Sequence, residues 1–494
     1  MMEDRRYALV FRGHHFGYEV QATAKIFIPG VRFVLCEDGR EPEDVPNCIT
    51  TELCPGESLL LHVSAVLDGK AGERSCTLAA DSPEADQEFT LCRLLYDLLR
   101  DMTGYTPPWG LLTGIRPVRK VIQCLDAGMT TEQAAASLRE RYLISPEKMQ
   151  LAVDTALVQH PILPHSPKEI GLYISIPFCP TRCSYCSFVS HSMETAKALI
   201  PGYVEKLCEE IAVYGKMIPA FGLQVQSVYI GGGTPTAISA QELRQVMEAV
   251  ATHIDIGHAR EYTVEAGRAD TITREKLAVI REMGATRISV NPQTLQDNVL
   301  EVIGRKHTAR QAVDAFLLAR DMGFEDINMD LIAGLPTDTY EGFSDTLRRV
   351  MALAPDSITV HTLTLKRAAD LYRTETADGT IAQVERMAAL SAKALPEGGW
   401  RPYYLYRQKN TVGNLENVGY AKPGKENLYN ILIMDETQTI LGAGCGASTK
   451  VVLPDGDITR ILNYKFPYEY IDRFEKMMEK KQTLREVLAK LSSS

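Results

Sequence analysis

Nowhere in the 494 residues does an uninterrupted apolar run reach the roughly 18 residues a bilayer-spanning helix requires. That excludes an integral membrane protein built from helices. The opening residues, Met1 to Arg6, are charged and no apolar core follows them. No signal peptide is expected, and the chain reads as cytoplasmic. Glycine (35) and proline (25) stay near ordinary usage, which excludes collagen-like and low-complexity chains. Basic charge is also in short supply. Lys and Arg number 53 against 63 Asp and Glu, a net charge of −10. A general nucleic-acid binder displaces counterions with a positive surface, so no nucleic-acid partner is expected. A local basic pocket for an acidic small molecule remains compatible with this balance. What is present, 45% hydrophobic and 23% charged residues, suits a globular chain long enough for two or three domains.

The eleven cysteines are an odd number in a long chain, so no disulfide framework is expected. Eight are scattered and read as buried thiols. The other three are clustered.

The chain divides into three parts. Residues 1–165 read as an α+β domain. Tyr7–Phe11, Leu59–Leu67 and Cys76–Ala79 have strand character, and Asp68-Gly69 between the last two is a hairpin turn. Ser82 and Pro83 are placed as N-cap and first residue of a helix carrying Phe89, Cys92, Leu95 and Leu99, stopped by Gly104. Pro161, Pro164 and Pro167 mark a linker. In residues 166–370 strands alternate with helices. The strands are Leu172–Ile176, Ser227–Ile230, Tyr262–Glu265, Arg287–Val290, Ile327–Ile332 and Ser357–His361. Ser239-x-x-Glu242 and Thr308-x-x-Gln311 are capping boxes, and Thr273 caps a third helix. Six β–α units imply a parallel sheet wound as an open or closed barrel, with its chemistry at the carboxyl ends of the strands. Residues 371–494 hold an Arg/Tyr-rich stretch (Arg401–Arg407), a Gly/Asn-rich loop (Gly413–Gly424), a glycine-rich segment (Leu441–Ser448) and a charged helical tail (Tyr468–Leu491).

Just past the first barrel strand stands Cys179-x3-Cys183-x2-Cys186. Three thiolates on one short loop can hold three irons of a [4Fe–4S] cluster and leave the fourth iron open to a ligand. Structural zinc would need a fourth Cys or His, for which His191 is the nearby candidate. Gly231-Gly-Gly-Thr234-Pro-Thr236 follows the second strand. Its glycines admit a ligand close to the backbone, where N–H and C=O groups can bind it. Glu265 ends the third strand, suited to accept from ribose hydroxyls. Gln293 ends the fourth, Arg305 follows in Gly304-Arg-Lys-His-Thr308, and Asp330 ends the fifth. Their shared place on the catalytic face singles them out.

The cysteine loop at this position resembles the radical S-adenosylmethionine (SAM) enzymes. More narrowly, Leu172 to Lys450 resembles the oxygen-independent coproporphyrinogen III oxidase family. The matching segments are Y-x-x-I-P-F-C-x3-C-x2-C, G-G-G-T-P-T, the Glu265 strand, the Gln293 segment, G-R-x-H-T and N-x-D-L-I-x-G-L-P. Trp109-Gly-Leu-Leu-Thr-Gly-Ile-Arg-Pro117 and the Gly413–Gly424 loop are similar to the HemZ-type coproporphyrinogen dehydrogenases. The resemblance implies an α/β fold: a partial (β/α)6 barrel with an N-terminal α+β domain and a C-terminal α/β extension. It implies a cluster on Cys179, Cys183 and Cys186, and one or two SAM molecules. Tyr173, Gly232, Gly233, Thr234, Glu265, Gln293, Arg305 and Asp330 fall on SAM positions, and Tyr185 falls where an aromatic residue lies near the cofactor. The implied reaction is oxidative decarboxylation of two propionates of coproporphyrinogen III to vinyls, in haem biosynthesis. The implied partners are a tetrapyrrole substrate, a low-potential electron donor and an electron acceptor. Phe188 and Ser175 stand where the decarboxylating members carry Cys and His. Cys-x-Phe resembles instead the haem chaperone branch, and a further branch acts on other tetrapyrroles. Arg116, Arg119, Arg401 and Arg407 are the arginines offered for substrate carboxylates.

Overall fold

A computed structural model describes residues 6–28, 31, 33–37, 39–40, 42, 45–164, 166–186, 191–364, 381–408 and 415–492. Phe188, the start of the Gly413–Gly424 loop and the divisions at 165 and 370 lie outside the described residues. Two compact units emerge. The first runs to Val153, and the second begins at Asp154 and takes in nearly all the rest.

The first unit is a five-stranded sheet in the order β2-β1-β3-β4-β5: β1 (Tyr7–Arg12), β2 (Phe33–Cys36), β3 (Asn47–Cys54), β4 (Ser58–Leu67) and β5 (Lys70–Ala79). Asp68 and Gly69 both take left-handed angles (φ 48° and 78°), the turn that matches the twist of a two-residue hairpin. Against the sheet packs the helix Glu84–Thr103, whose Leu91, Leu95 and Leu99 are fully buried with Leu61 and Val63. The helix starts one residue later than expected. Pro83 is extended (ψ 145°), and its carbonyl accepts from Asp86 and Gln87, so Pro83 and not Ser82 is the N-cap.

The second unit is built on an 11-stranded sheet, β14-β15-β13-β12-β11-β10-β9-β6-β16-β17-β18. At its centre β6 (Glu169–Ile176), β9 (Gln224–Gly232), β10 (Glu261–Gly267), β11 (Arg287–Val290), β12 (Ile327–Ala333) and β13 (Ser357–Thr362) run parallel in chain order. Between β6 and β9, the two-residue strands β7 (Phe178–Cys179) and β8 (His191–Ser192) pair with each other. Parallel strands are covered on both faces and read as apolar runs; here Ile170, Leu172, Ile174, Val228, Ile230 and Val264 are all fully buried. The expected capping boxes form. Glu242 N donates to Ser239 Oγ at 3.2 Å and Ser239 N donates back to Glu242 Oε2 at 2.7 Å. Thr308 and Gln311 repeat the pattern.

The last third of the chain extends both edges of this sheet. β14 (Arg401–Arg407) and β15 (Glu416–Ala421) add antiparallel beyond β13. At the opposite edge β16 (Thr439–Ala443) lies parallel to β6, followed by antiparallel β17 (Ser448–Val452) and β18 (Ile458–Leu462). The final helix, Phe474–Ser492, is pinned by a buried ion pair: Lys481 Nζ lies 2.6 Å from Glu210 Oε1. Glu210, on the helix Ile200–Ala220, also accepts from Gly444 N (2.8 Å), Asn463 Nδ2 (2.9 Å) and the Tyr470 hydroxyl (2.7 Å). Among the described residues no helix is long and apolar enough to cross a membrane.

Candidate active site

The cysteine loop leaves β6 and folds back over the end of β9. Gly233 N donates to Ile176 O and Thr234 N to Phe178 O, both at 2.8 Å. This approach needs glycine. A Cβ on Gly233 would lie 2.7 Å from Phe178 O, 2.9 Å from Phe178 N and 3.0 Å from Cys179 Sγ. At Gly232 the backbone itself is glycine's (φ 114°). The N–H groups of Gly233 and Thr234 are thus spent on the end of β6 and the start of the cysteine loop.

From the other side the loop rests on the turn that precedes the second capping box. Ser184 N donates to Ile303 O (3.2 Å) and Thr181 Oγ1 to Gly304 O (3.1 Å). Cys179 and Cys183 are buried and Cys186 half-buried. Cys179 Sγ lies 3.5 Å from Thr234 Oγ1. Tyr185 packs against the buried cluster that includes Ile303, Leu335 and Leu363, and its hydroxyl accepts from Arg305 Nη2 at 3.0 Å. Arg305 Nη1 donates to Asn291 O at 2.7 Å, while its Nε is buried without a partner among the described residues. Beneath the loop, Phe178 meets Tyr203 edge-on, and the Tyr203 hydroxyl donates to Ser175 O at 2.7 Å. Among the described residues no group of three His, Cys, Asp or Glu side chains stands as a ready-made cage for a metal ion, and His191 completes none with the thiols.

Between β6, β9 and the helix Leu428–Asp435 three tyrosines stack. Tyr229 lies 4.3 Å from Tyr429 and 6.2 Å from Tyr173, ring centre to ring centre, and Tyr173 lies 5.9 Å from Tyr429. The Tyr229 hydroxyl donates to Glu265. Burial pushes the Glu265 carboxyl up to about 7, and nearby Asp330 adds to this; the Tyr229 and Gly232 hydrogen bonds offset only part of it. Asp330 goes the other way. Burial alone would raise it, but His361, Asn328 and Thr359 together hold it below the usual carboxylate range. It sits inside β12 rather than at its end, accepting from Asn328 Nδ2 at 2.6 Å.

Gln293 lies three residues beyond the end of β11 with a left-handed backbone (φ 69°). A non-glycine residue held there stores roughly 1–3 kcal/mol, and such strain gathers at functional sites. Two hydrogen bonds to β12 hold it: Gln293 N donates to Asp330 O (2.9 Å) and Ile332 N to Gln293 O (3.0 Å). Its side-chain Oε1 is buried without a partner among the described residues.

Four contributors went unmarked in the sequence. Tyr229 precedes the glycine run, and strand alternation opposite Tyr173 signals it. Arg268 and Asp270 close β10 and were reachable by the rule that charged residues at strand ends face the barrel mouth. Tyr429 comes from the distant helix Leu428–Asp435, and no local pattern announces it. Arg116 and Arg119 belong to the first unit. Arg401 is exposed at the start of β14, and Arg407 is buried at its end.

Comparison with known proteins agrees with this geometry. Residues 173–350 match the radical SAM superfamily. The oxygen-independent coproporphyrinogen-III oxidase-like protein HemZ of Bacillus subtilis is 43% identical, over 79% of this chain and 80% of its own. The heme chaperone HemW of Haemophilus influenzae is 31% identical, over 63% of this chain and 78% of its own. The solved structure of coproporphyrinogen III oxidase (HemN) from Escherichia coli shares the fold, with TM-score 0.51 and 22% identity, covering 65% of this chain and 72% of that one. Radical SAM proteins use a [4Fe–4S] cluster and SAM. The residues present fit those groups. One loop carries three thiols, and Gln293 Oε1 and Arg305 Nε are buried polar atoms without a partner among the described residues. By sequence, fold and donor set alike, the chain belongs to the radical SAM superfamily, in the branch of the HemZ-type coproporphyrinogen-III oxidase-like proteins.

Proposed function

We propose that this protein is a radical SAM oxidoreductase that converts coproporphyrinogen III to protoporphyrinogen IX without oxygen, in haem biosynthesis. The observation that carries the reading is the likeness to the HemZ oxidase-like relative along four-fifths of that protein's length. Cys179, Cys183 and Cys186 would hold the cluster. Tyr173, Tyr185, Gly232, Gly233, Thr234, Glu265, Gln293, Arg305 and Asp330 would bind SAM. When bound, these cofactors supply a 5′-deoxyadenosyl radical that removes a hydrogen β to a propionate carboxylate. The chain's own residues place and shield the reacting groups. Gly233 brings the cysteine loop within van der Waals reach of the β9 turn, the three stacked tyrosines pack beside Glu265, to which Tyr229 donates, and Glu265 accepts from hydroxyls when ionised. Residues 166–370 form the radical core, 1–165 an accessory domain and 371–494 a family-specific part. A low-potential donor and an electron acceptor complete the cycle.

The second reading is a haem chaperone of the same branch. It draws on the HemW relative and on Phe188 in the Cys-x-Phe pattern. An anaerobic assay separates the two. Reconstituted protein is mixed with SAM, a low-potential reductant, an electron acceptor and coproporphyrinogen III, and mass spectrometry follows carbon dioxide loss and 5′-deoxyadenosine. The proposal requires both to appear together and to vanish in Cys183→Ala. Stoichiometric haem binding with the porphyrinogen untouched would favour the chaperone.

A further inference from the structure

One buried cation outside the expected cofactor residues stands directly against the cysteine loop. Arg268 follows β10 and is 3% exposed. Its Nη1 donates to Thr181 Oγ1 at 2.7 Å and to Thr181 O at 3.0 Å, and lies 3.9 Å from Cys183 Sγ. The other two nitrogens are committed behind it. Nε donates to Asp270 Oδ1 at 3.0 Å and Nη2 to Asp270 Oδ2 at 2.8 Å, a two-pronged grip. Asp270 has His307 Nδ1 at 3.7 Å on its far side. Guanidinium stays charged at any working pH, and its planar fork fixes orientation in a way an ammonium does not. The carboxylate therefore holds the arginine with one edge aimed at the second cysteine of the motif.

We propose that Arg268 is a positioning residue that fixes the cysteine loop and, through the charged edge of its guanidinium beside Cys183 Sγ, raises the reduction potential of the cluster held there. The inference rests on Cys183 being a cluster ligand and is indifferent to which tetrapyrrole is the substrate. The physical reason is that reduction adds negative charge, part of it on the ligating sulfurs. A charged edge beside a sulfur, with the positive end of an ion pair toward the cluster, stabilises the reduced form more than the oxidised. The compensating Asp270 charge sits on the remote side of the guanidinium, so the pair presents an oriented dipole rather than a bare charge. A fold anchor alone would be satisfied by the two Thr181 contacts.

The test is a redox titration of the reconstituted full-length protein without SAM, followed by electron paramagnetic resonance of the reduced cluster, with iron and sulfide counted in every sample. The variants are Arg268→Lys, which keeps the charge and loses the fork, and the double variant Arg268→Met with Asp270→Asn, which removes both charges and leaves no lone buried carboxylate. The expected result is full iron and sulfide with a more negative midpoint in both, the larger shift in the double variant. An unchanged midpoint at full cluster content overturns the tuning role. So does an Arg268→Lys protein that is folded by circular dichroism yet holds no iron, which would leave Arg268 an anchor only. Failure of the wild-type protein to assemble any cluster is a separate result and counts against the cluster reading itself.

Discussion

Replacing Gly233 with alanine tests the steric core of the site. The added methyl would sit 2.7 Å from Phe178 O, 2.9 Å from Phe178 N and 3.0 Å from Cys179 Sγ. Two of these atoms are backbone and cannot turn aside as a side chain does. Overpacking of this kind costs roughly 1–3 kcal/mol, and the upper end is expected here. Relief must come from moving the cysteine loop off β9, which breaks the hydrogen bonds from Gly233 N and Thr234 N. Gly233→Ala should therefore lose about 3 kcal/mol in urea unfolding of the cluster-free protein and should retain less than half the wild-type iron after anaerobic reconstitution. Adding Cys179→Ala removes only the 3.0 Å contact and should not restore stability. Gly284→Ala is the control. It has a left-handed backbone (φ 82°) but nothing within 4 Å of its Cβ, so only the torsional cost of about 1 kcal/mol applies. If Gly233→Ala loses no more than that control and fills with iron normally, the close-approach reasoning is refuted.

Three further outcomes follow from the geometry. Glu265 is protonated more readily in the folded chain than in the unfolded one, because its folded value is raised to about 7. Its contribution to stability is therefore best at low pH and is lost as pH rises from about 4.5 to about 7, by up to about 3 kcal/mol. Chemical unfolding across that range should show the slope in wild type and a flatter curve in Glu265→Gln; equal slopes would count against it. Lys481→Met strands Glu210 as a buried lone carboxylate and should cost about 3–5 kcal/mol, while adding Glu210→Gln should recover a large part of the loss in the same unfolding experiment. Ser239→Ala removes a capping-box acceptor and should cost about 1 kcal/mol with no change in iron content.

The barrel was legible because its signals are local. Buried parallel strands read as apolar runs, and Arg287–Val290 was located end to end. Ser239, Thr273 and Thr308 cap the helices their spacing announced. Ser82 misled because proline accepts either the first helical position or an extended one before it, and only the packing of the helix decides. The glycine run was placed correctly, but the use of its N–H groups depended on Ile176 and Phe178, more than fifty residues away in sequence. The last third was opaque for the same reason. Leu441 pairs with Leu172, and Tyr429 stacks on Tyr229, so neither partner lies within the window from which periodicity is read.

That pairing of β16 with β6 also sets a timetable. The chain from Leu172 to Leu441 is 441 − 172 = 269 residues, and synthesis at about 5–20 residues per second takes roughly 13–54 s to cover it. Once β9 is complete at Gly232, β6 has its inner neighbour but, for the rest of that interval, not its outer one. A nascent chain therefore carries an apolar strand edge, the surface on which chains add to one another. Fragments ending before Thr439 keep that edge bare for good and should aggregate even where the six central strands are complete.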